Sequence, residues 1–324
     1  MTRYPARVHG QDLRDEAAGP RFGPWNSFWF QPQPMIVLGI VRICFGLLVA
    51  AWAIALLPDL LTFFGSSGVS PHPMSIPYTW GLLHLFPADQ AVFTVWAMTL
   101  LSALALAAGW HSRAAALVVF VCLMSFTRRD PSVINSGDAL LVVEALFLTL
   151  APSGAALSLD RRRTAGSFWT SQRRAPWAVR LLQVQMCLIY LTTVQLKLRG
   201  ETWIDGSAVS YALRLPELAN FQLPGWLVGQ PQIMQIATWG TLFVEFALAT
   251  LVWNLRLRPW ILCAGATLHL SILATIKVGC FSFAVFILYL AFIPPSSAVS
   301  WLSRLSPKLT PPFKGRNKRI SPEV

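Results

Sequence analysis

The sequence contains little charge for its length. Asp, Glu, Lys and Arg make up only 12% of its 324 residues, whereas they make up about a quarter of a typical soluble protein. Hydrophobic residues account for 55%, the mean hydropathy is +0.53, and several apolar runs approach the roughly 20 residues that a helix needs to cross a bilayer. This composition excludes an ordinary soluble protein. It predicts an all-α, multi-pass helix bundle in the cell membrane, with the lipid bilayer as its main partner.

The sequence also lacks the patterns that mark metal sites, disulfides and cleavable signal peptides. No Cys-x-x-Cys pair is present, and the five cysteines lie inside or at the edge of apolar runs, as small packing residues do. The five histidines show no regular ligand spacing. The first 34 residues are polar and contain four arginines, which predicts an uncleaved first span. We therefore expect no metal and no structural disulfide.

The net charge of +12 does not indicate a nucleic-acid partner, because the basic residues cluster in short segments between apolar runs. We predict eight spans, with six or seven as alternatives, because only Lys277 and Val278 separate the last two. No internal repeat is evident, which disfavours an inverted-repeat transporter. The predicted spans are about 35–57, 88–109, 112–127, 137–151, 178–197, 231–253, 259–276 and 279–294.

The distribution of basic residues predicts the orientation of these spans. Nineteen of the 26 Lys and Arg residues fall on the side that holds both termini, and the outer loop 58–87 contains none. This asymmetry predicts cytoplasmic termini. The outer side holds Arg128, Arg129, Arg199, Arg214 and Lys277. The predicted domains are a cytoplasmic or interfacial segment (1–34), a transmembrane domain (35–295) and a basic, Pro-rich cytoplasmic tail (296–324).

Lys197 is the most informative residue, because it ends a long apolar run at the edge of the predicted hydrocarbon region. A lysine there has two interpretations. Its ammonium can snorkel to the outer interface. Alternatively, it lies in a pocket where desolvation disfavours the charge and allows the amine to act as a general base.

Three further polar sites lie within the predicted spans. Arg42 should face the bundle and meet a carboxylate or backbone carbonyls, with Glu144 and Glu245 as the obvious partners, either as a structural ion pair or as a charge at a buried site. Asp138 is a good helix N-cap, although it and Asn135 could instead point into an outer-face pocket.

His269 lies in an apolar span, where a histidine is usually hydrogen-bonded to a neighbouring helix. It is also the side chain best suited to proton transfer near neutral pH. The sequence leaves both interpretations open.

Four stretches of the sequence together resemble a known membrane family. They are Ile40-Val-Arg42-Ile-Cys-Phe45-Gly46, Asn135-Ser-Gly-Asp138, Lys197-Leu198 with Trp203 and Gly206, and His269 with Gly279-Cys-Phe281-Ser282. In this order they are similar to the membrane core of vitamin K-dependent gamma-glutamyl carboxylase. They are also similar to its bacterial relatives, the HTTM (horizontally transferred transmembrane) proteins. Glu245 falls where these proteins carry an acidic residue.

The resemblance implies a gamma-carboxylase-like chemistry. In the carboxylase, the corresponding lysine is held to deprotonate vitamin K hydroquinone, which then reacts with oxygen. By this resemblance, Lys197 and His269 would be catalytic in a lipid-accessible cavity at the outer leaflet, and a reduced quinone is a possible cofactor. The implied substrate-binding residues are Asn135, Asp138, Trp203, Arg42 and Glu245.

The same resemblance implies a second kind of function. Some bacterial relatives are linked to maturation of a secreted peptide toxin. The chain could therefore be a non-catalytic membrane factor for maturation, export or immunity of a secreted peptide. A transporter ranks last, because the cytoplasmic loops contain little polar character beyond arginine.

Overall fold

The computed structural model describes residues 23–69 and 80–305, which are folded mainly as helices. The first eight helices are α1 (Pro24–Phe30), α2 (Ile36–Leu56), α3 (Leu60–Phe64), α4 (Leu82–Leu85), α5 (Asp89–Ala108), α6 (Ser112–Arg129), α7 (Ser136–Leu150) and α8 (Leu159–Ala165). The next eight are α9 (Trp177–Lys197), α10 (Glu201–Ile204), α11 (Ala208–Arg214), α12 (Gly225–Val228), α13 (Pro231–Thr250), α14 (Arg258–Thr275), α15 (Phe281–Leu290) and α16 (Pro295–Leu305). A short antiparallel ladder pairs β1 (Gln33–Pro34) with β2 (Arg173–Arg174).

The prediction of an all-α membrane helix bundle is confirmed. Among the described residues, four helical segments are long and apolar enough to cross a membrane: Ile36–Phe64, Asp89–Ala108, Trp177–Lys197 and Pro231–Trp253. A fifth would be added if α15 and α16, which are bent by 99° relative to each other, formed one span. Each of the eight predicted spans contains a helix, but α7 and α15 have only 15 and 10 residues. The count of eight spans therefore stays a prediction.

Hydrogen bonds between helix ends and loops show which helix ends lie together at each end of the bundle. Hydrogen bonds join the loop after α5 to α8, the start of α6 to the end of α7, the start of α9 to the end of α15, and the start of α14 to the same region. At the opposite end, hydrogen bonds join the end of α6 to α4 and the end of α14 to the chain after α11. Successive long helices consequently run in alternate directions between these two ends.

We call these the basic end and the Lys197 end. Besides the buried Arg42, the basic end carries, among the described residues, Arg113, Arg161, Arg162, Arg163, Arg173, Arg174, Arg180, Arg256, Arg258 and Arg304. The Lys197 end carries Arg128, Arg129, Arg199, Arg214 and Lys277 besides Lys197 itself. The basic end is the one predicted to be cytoplasmic, and this assignment stays a prediction.

Apolar side chains cover the outside of the bundle as well as its core. The core is formed mainly by α2, α7, α9 and α15, around fully buried residues such as Phe45 and Leu141. Large apolar side chains also point outward, including Leu101, Phe243 and Leu191. Soluble proteins rarely expose so much apolar surface, and helices that are hydrophobic all round belong in a membrane.

All three predicted domains have parts that the structure does not describe. Residues 1–22 of the N-terminal segment, 70–79 of the outer loop and 306–324 of the tail lie outside the described residues. In the part of the tail that is described, α16 is an amphipathic helix that packs Ala298 and Leu302 against the core and exposes Trp301. The fold therefore continues into the segment predicted as a tail.

Candidate functional site

Lys197 is the last residue of α9, and its ammonium meets a carboxylate rather than open water. Its Nζ lies 2.5 Å from Oε1 of Glu245 on α13, the helix that packs beside α9. The Lys197 side chain is 20% exposed and that of Glu245 is 8% exposed. The second carboxylate oxygen of Glu245 is buried and has no hydrogen-bond partner among the described residues. This pair is therefore only partly hydrated, and it retains one unused acceptor.

An aromatic ring covers another side of the same amine. The chain turns after α9 through Gly200, and α10 brings the Trp203 ring to 4.5 Å from the Lys197 Nζ, measured to the ring centroid. A cation at this distance is attracted to the negative face of the ring. The sequence linked Lys197, Trp203 and Glu245 only by resemblance, and the structure places Lys197 in direct contact with each of the other two.

A continuous chain of hydrogen bonds lies deeper in the bundle. The Tyr190 hydroxyl, two turns before Lys197 on α9, is 2.8 Å from Nε2 of His269 and 2.5 Å from the Tyr289 hydroxyl. Nδ1 of His269 is 3.1 Å from the Ser282 hydroxyl. Each of these groups can donate or accept a proton, so the chain has no fixed direction. The interpretation of His269 as hydrogen-bonded to neighbouring helices is therefore confirmed, and its catalytic role stays a prediction.

The packing around this chain depends on a glycine one turn before His269. A Cβ atom at Gly265 would lie 2.5 Å from the Tyr289 hydroxyl and 2.8 Å from a methyl group of Leu248, both closer than real side chains approach. The absence of a side chain on α14 therefore makes room for the Tyr289 hydroxyl. Glu245 lies within electrostatic reach of both tyrosines, and Lys197 lies within reach of His269.

Asn135 and Asp138 form a capping box at the start of α7. The Asn135 side chain accepts hydrogen bonds from the Gly137 and Asp138 amides, and the Asp138 carboxylate accepts one from the Asn135 amide. The expectation that Asp138 is the N-cap was therefore wrong, because Asn135 occupies that position and Asp138 is the third helical residue. The remaining Asp138 oxygen accepts from Nε1 of Trp52 at 2.8 Å. These contacts fix the turn, and a ligand role for either residue stays a prediction.

Arg42 lies at the basic end, away from Lys197. It is fully buried and donates to the Leu157 carbonyl, and its Nη1 is 3.4 Å from the Ser112 hydroxyl. Gly109 ends α5 with φ +73°, and a Cβ there would lie 1.9 Å from Arg42 Nη1. The expectation that Arg42 faces the bundle and meets a carbonyl is confirmed.

The prediction that Arg42 pairs with the carboxylate of Glu144 or Glu245 was wrong. The chain after α7 folds back and brings the Leu157 carbonyl to the guanidinium instead. Glu245 is committed to Lys197. Glu144 is buried, and neither of its carboxylate oxygens has a hydrogen-bond partner among the described residues.

Tyr190 and Tyr289 were not singled out from the sequence, and Ser282 was named only as part of a stretch that carries the family resemblance. Spacing could have pointed to them, because residues seven apart lie on one face of a helix. Tyr190 precedes Lys197 by seven residues on α9, and Ser282 precedes Tyr289 by seven on α15. Among the described residues, no group of three or more His, Cys, Asp and Glu side chains is placed to hold a metal ion.

Comparison with known proteins places this chain in a family. A family model described as HTTM domain matches residues 30–297. The sporulation-delaying protein SdpB of Bacillus subtilis (strain 168) is 24% identical over 153 residues, which is 44% of this chain and 46% of that protein. The chain thus spans about half the length of the curated relative that it matches. No solved structure matches significantly.

Proposed function

This chain belongs to the HTTM domain family, and on that basis we propose that it is a membrane enzyme that deprotonates a hydroxyl group of a lipid-soluble substrate. A quinol is the substrate class that the resemblance to the carboxylase suggests, and Lys197 is the proposed base. The observation that carries this proposal is the contact of 2.5 Å between Lys197 Nζ and Glu245 Oε1 in a partly hydrated setting.

The contact with Glu245 supplies a way for Lys197 to become a base. In a poorly hydrated site, the cost of desolvating two charges offsets much of their attraction, so a neutral pair competes with the ion pair. Transfer of one proton from the Lys197 ammonium to the Glu245 carboxylate leaves a neutral amine and a protonated acid. The amine can then accept a proton from a substrate hydroxyl, and the resulting ammonium stabilises the oxyanion electrostatically.

The surroundings suit a flat, hydroxyl-bearing substrate. Trp203 presents an aromatic face beside the amine, against which a ring can stack. The chain through Tyr190, His269 and Tyr289 offers groups that can relay a proton away from the site. Asn135 and Asp138 are proposed to hold the neighbouring turn in place, whereas Arg42 is too remote to contact the same substrate.

The expected setting of this site is the outer leaflet of the cell membrane. The excess of arginine at the basic end supports a cytoplasmic position for that end. Lys197 would then meet substrate from the outer leaflet, as the resemblance to the carboxylase implies.

A quinol assay tests the proposal. The purified protein is placed in liposomes with a reduced quinone under air, and the loss of quinol absorbance is followed. We expect Lys197→Ala and Glu245→Gln to lower the rate by about 100-fold or more, the size typical of lost acid–base catalysis. Arg199→Ala is the matched control, because Arg199 is a basic, exposed residue only two positions further on. Equal rates in the wild type and Lys197→Ala would refute the role of Lys197.

A second candidate is a membrane factor in maturation of a secreted peptide. The similarity to a sporulation-delaying protein favours it, and so does the link of bacterial relatives to peptide maturation that the family resemblance implies. This function needs a positive charge at position 197 but no neutral amine. Peptide maturation that survives in Lys197→Arg cells, with no quinol turnover by the wild type, would favour this candidate over the enzyme.

A further inference from the structure

A cleft of about 1150 Å³ opens at the basic end of the bundle, far from Lys197 along α9. It lies between the start of α6, the chain after α7, helix α8 and the start of α9. Arg113, Arg161, Arg163 and Arg174 line it, and Asp160 is the one acidic residue among its described lining residues. The cleft is therefore strongly basic.

The carboxylate of Asp160 in this cleft already accepts hydrogen bonds from other groups of the protein. The Asp160 carboxylate accepts hydrogen bonds from the His111 amide at 2.9 Å, from the Ser112 amide at 2.9 Å and from the Ser112 hydroxyl at 2.7 Å. Burial on its own raises the pKa of Asp160, but these hydrogen bonds hold that pKa below its ordinary value. Asp160 thus organises the loop before α6 and leaves the arginines without an acidic partner.

The cleft arginines are positioned by hydrogen bonds to the protein and keep other nitrogens available. The Nε atoms of Arg113, Arg161 and Arg174 donate to oxygen atoms of the protein at 3.1, 3.2 and 3.2 Å. Nη1 of Arg161 also donates to the Thr164 hydroxyl at 3.4 Å, and Nη1 of Arg163 lies 3.0 Å from Nε2 of His111. In residues 23–69 and 80–305, none of the four cleft arginines forms a salt bridge. A guanidinium held at Nε presents its terminal nitrogens in the fork that matches two oxygens of a phosphate. The cleft therefore offers several prearranged donors to one anion.

The other residues that line the cleft indicate that an anion bound there would lie at a membrane surface. Trp177 lines the cleft beside alanine and proline residues, so apolar and cationic groups share one wall. Trp110 packs against the His111 ring in a T-shaped contact at the rim, with 53% of its surface exposed. Exposed tryptophans mark the depth of lipid headgroups, and basic pockets at the cytoplasmic surface suit anionic headgroups. A free phosphate would use the arginines but would leave the apolar wall without a partner.

We propose that this cleft binds the phosphate-bearing headgroup of an anionic phospholipid. The arginine forks hold the phosphate, and the apolar wall with Trp177 contacts the glycerol and the start of the acyl chains. This site is separate from Lys197 and does not depend on the proposed enzymatic function.

The test measures lipid binding by the delipidated full chain. Native mass spectrometry follows titration with phosphatidylglycerol, with phosphatidylcholine and with inorganic phosphate. The test variant is Arg163→Gln with Arg174→Gln, because both side chains are exposed and their loss should leave folding intact. The control variant is Arg162→Gln with Arg256→Gln, which removes the same charge from exposed positions at the same end but outside the cleft.

We expect phosphatidylglycerol to bind at least about tenfold more tightly than phosphatidylcholine, because both lipids carry the phosphate but only phosphatidylcholine carries a choline cation, which the cleft arginines repel. The cleft variant should lose most of this preference, and the control variant should keep it. Equal losses in both variants would overturn the proposal in favour of general surface charge. Binding of inorganic phosphate with equal affinity, and no preference between the two lipids, would assign the cleft to a free anion instead.

Discussion

The contact between Lys197 and Glu245 predicts a measurable coupling energy. Lys197→Met removes the ammonium and leaves the Glu245 carboxyl, of which only 8% is exposed, without its partner. Glu245→Gln removes the carboxylate, but Lys197 is 20% exposed and can turn toward water. The two single substitutions should therefore differ in cost, and their combination should cost less than the two added together.

The magnitudes follow from burial and distance. Unit charges about 4 Å apart attract by about 4 kcal/mol at an effective dielectric of about 20, and the desolvation of each ion offsets part of this. Breaking a buried pair by removing one partner typically costs about 3–5 kcal/mol. We therefore expect destabilisation by about 3 kcal/mol for Lys197→Met, about 1 kcal/mol for Glu245→Gln and about 2 kcal/mol for the double variant. The coupling energy is then about 2 kcal/mol.

The assay is equilibrium unfolding in mixed micelles by titration with dodecyl sulfate, followed by circular dichroism. The four proteins form a double-mutant cycle. A control cycle combines Glu245→Gln with Arg199→Met in place of Lys197→Met, since Arg199 is exposed and lies two residues away. The control cycle should be additive within about 0.5 kcal/mol. If the Lys197–Glu245 cycle is equally additive, the two side chains do not interact, and the proton transfer proposed for them loses its basis.

Three further predictions concern other parts of the bundle. Gly265→Ala should destabilise the protein by about 1–3 kcal/mol in the same assay, because its methyl group overlaps the Tyr289 hydroxyl, and unchanged stability would contradict the close packing. Glu144→Met should leave stability unchanged or raise it, because the buried carboxyl has no hydrogen-bond partner among the described residues; a loss above about 2 kcal/mol would reveal a partner. Asp160→Asn should destabilise the protein at pH 7. The folded-state pKa of Asp160 lies below its unfolded value, so the stabilisation is present above about pH 4 and is lost as the pH falls further. Thermal unfolding of both proteins at pH 7 and pH 3.5 should show the difference shrinking, and a constant difference would exclude this linkage.

Much of the helical architecture could be predicted from hydropathy alone. The predicted span 178–197 matches α9, and the span 231–253 matches α13 with the turn after it, because long apolar runs have few other ways to satisfy their backbone. The predicted break between the last two spans is confirmed, since α14 ends at Thr275 and α15 begins at Phe281, on either side of Lys277 and Val278. A further sharp bend, which hydropathy did not indicate, lies after α15, close to Pro294 and Pro295.

The contacts of polar side chains were harder to predict, because they depend on how the helices are rotated and which loops fold back. Nothing local to Arg42 indicates that the Leu157 carbonyl, 115 positions later, would be its partner. Tyr190 and Tyr289 carry no motif of their own, and only the packing of α9 against α15 brings their hydroxyls together. Lys197 and Glu245 were both identified, but their direct contact requires the pairing of α9 with α13.

Helix α9 sets the depth of the amine in the bilayer. It runs from Trp177, beside the arginine-lined cleft, to Lys197, and its 21 residues span about 30 Å, the thickness of a typical hydrocarbon core. If Trp177 lies at one interface, as the expected orientation implies, bilayer thickness sets the position of Lys197 relative to the other interface. Longer acyl chains draw the amine inward and remove water from it, whereas shorter chains expose it. Acyl-chain length is thus an external control on the hydration of Lys197 that requires no change in sequence.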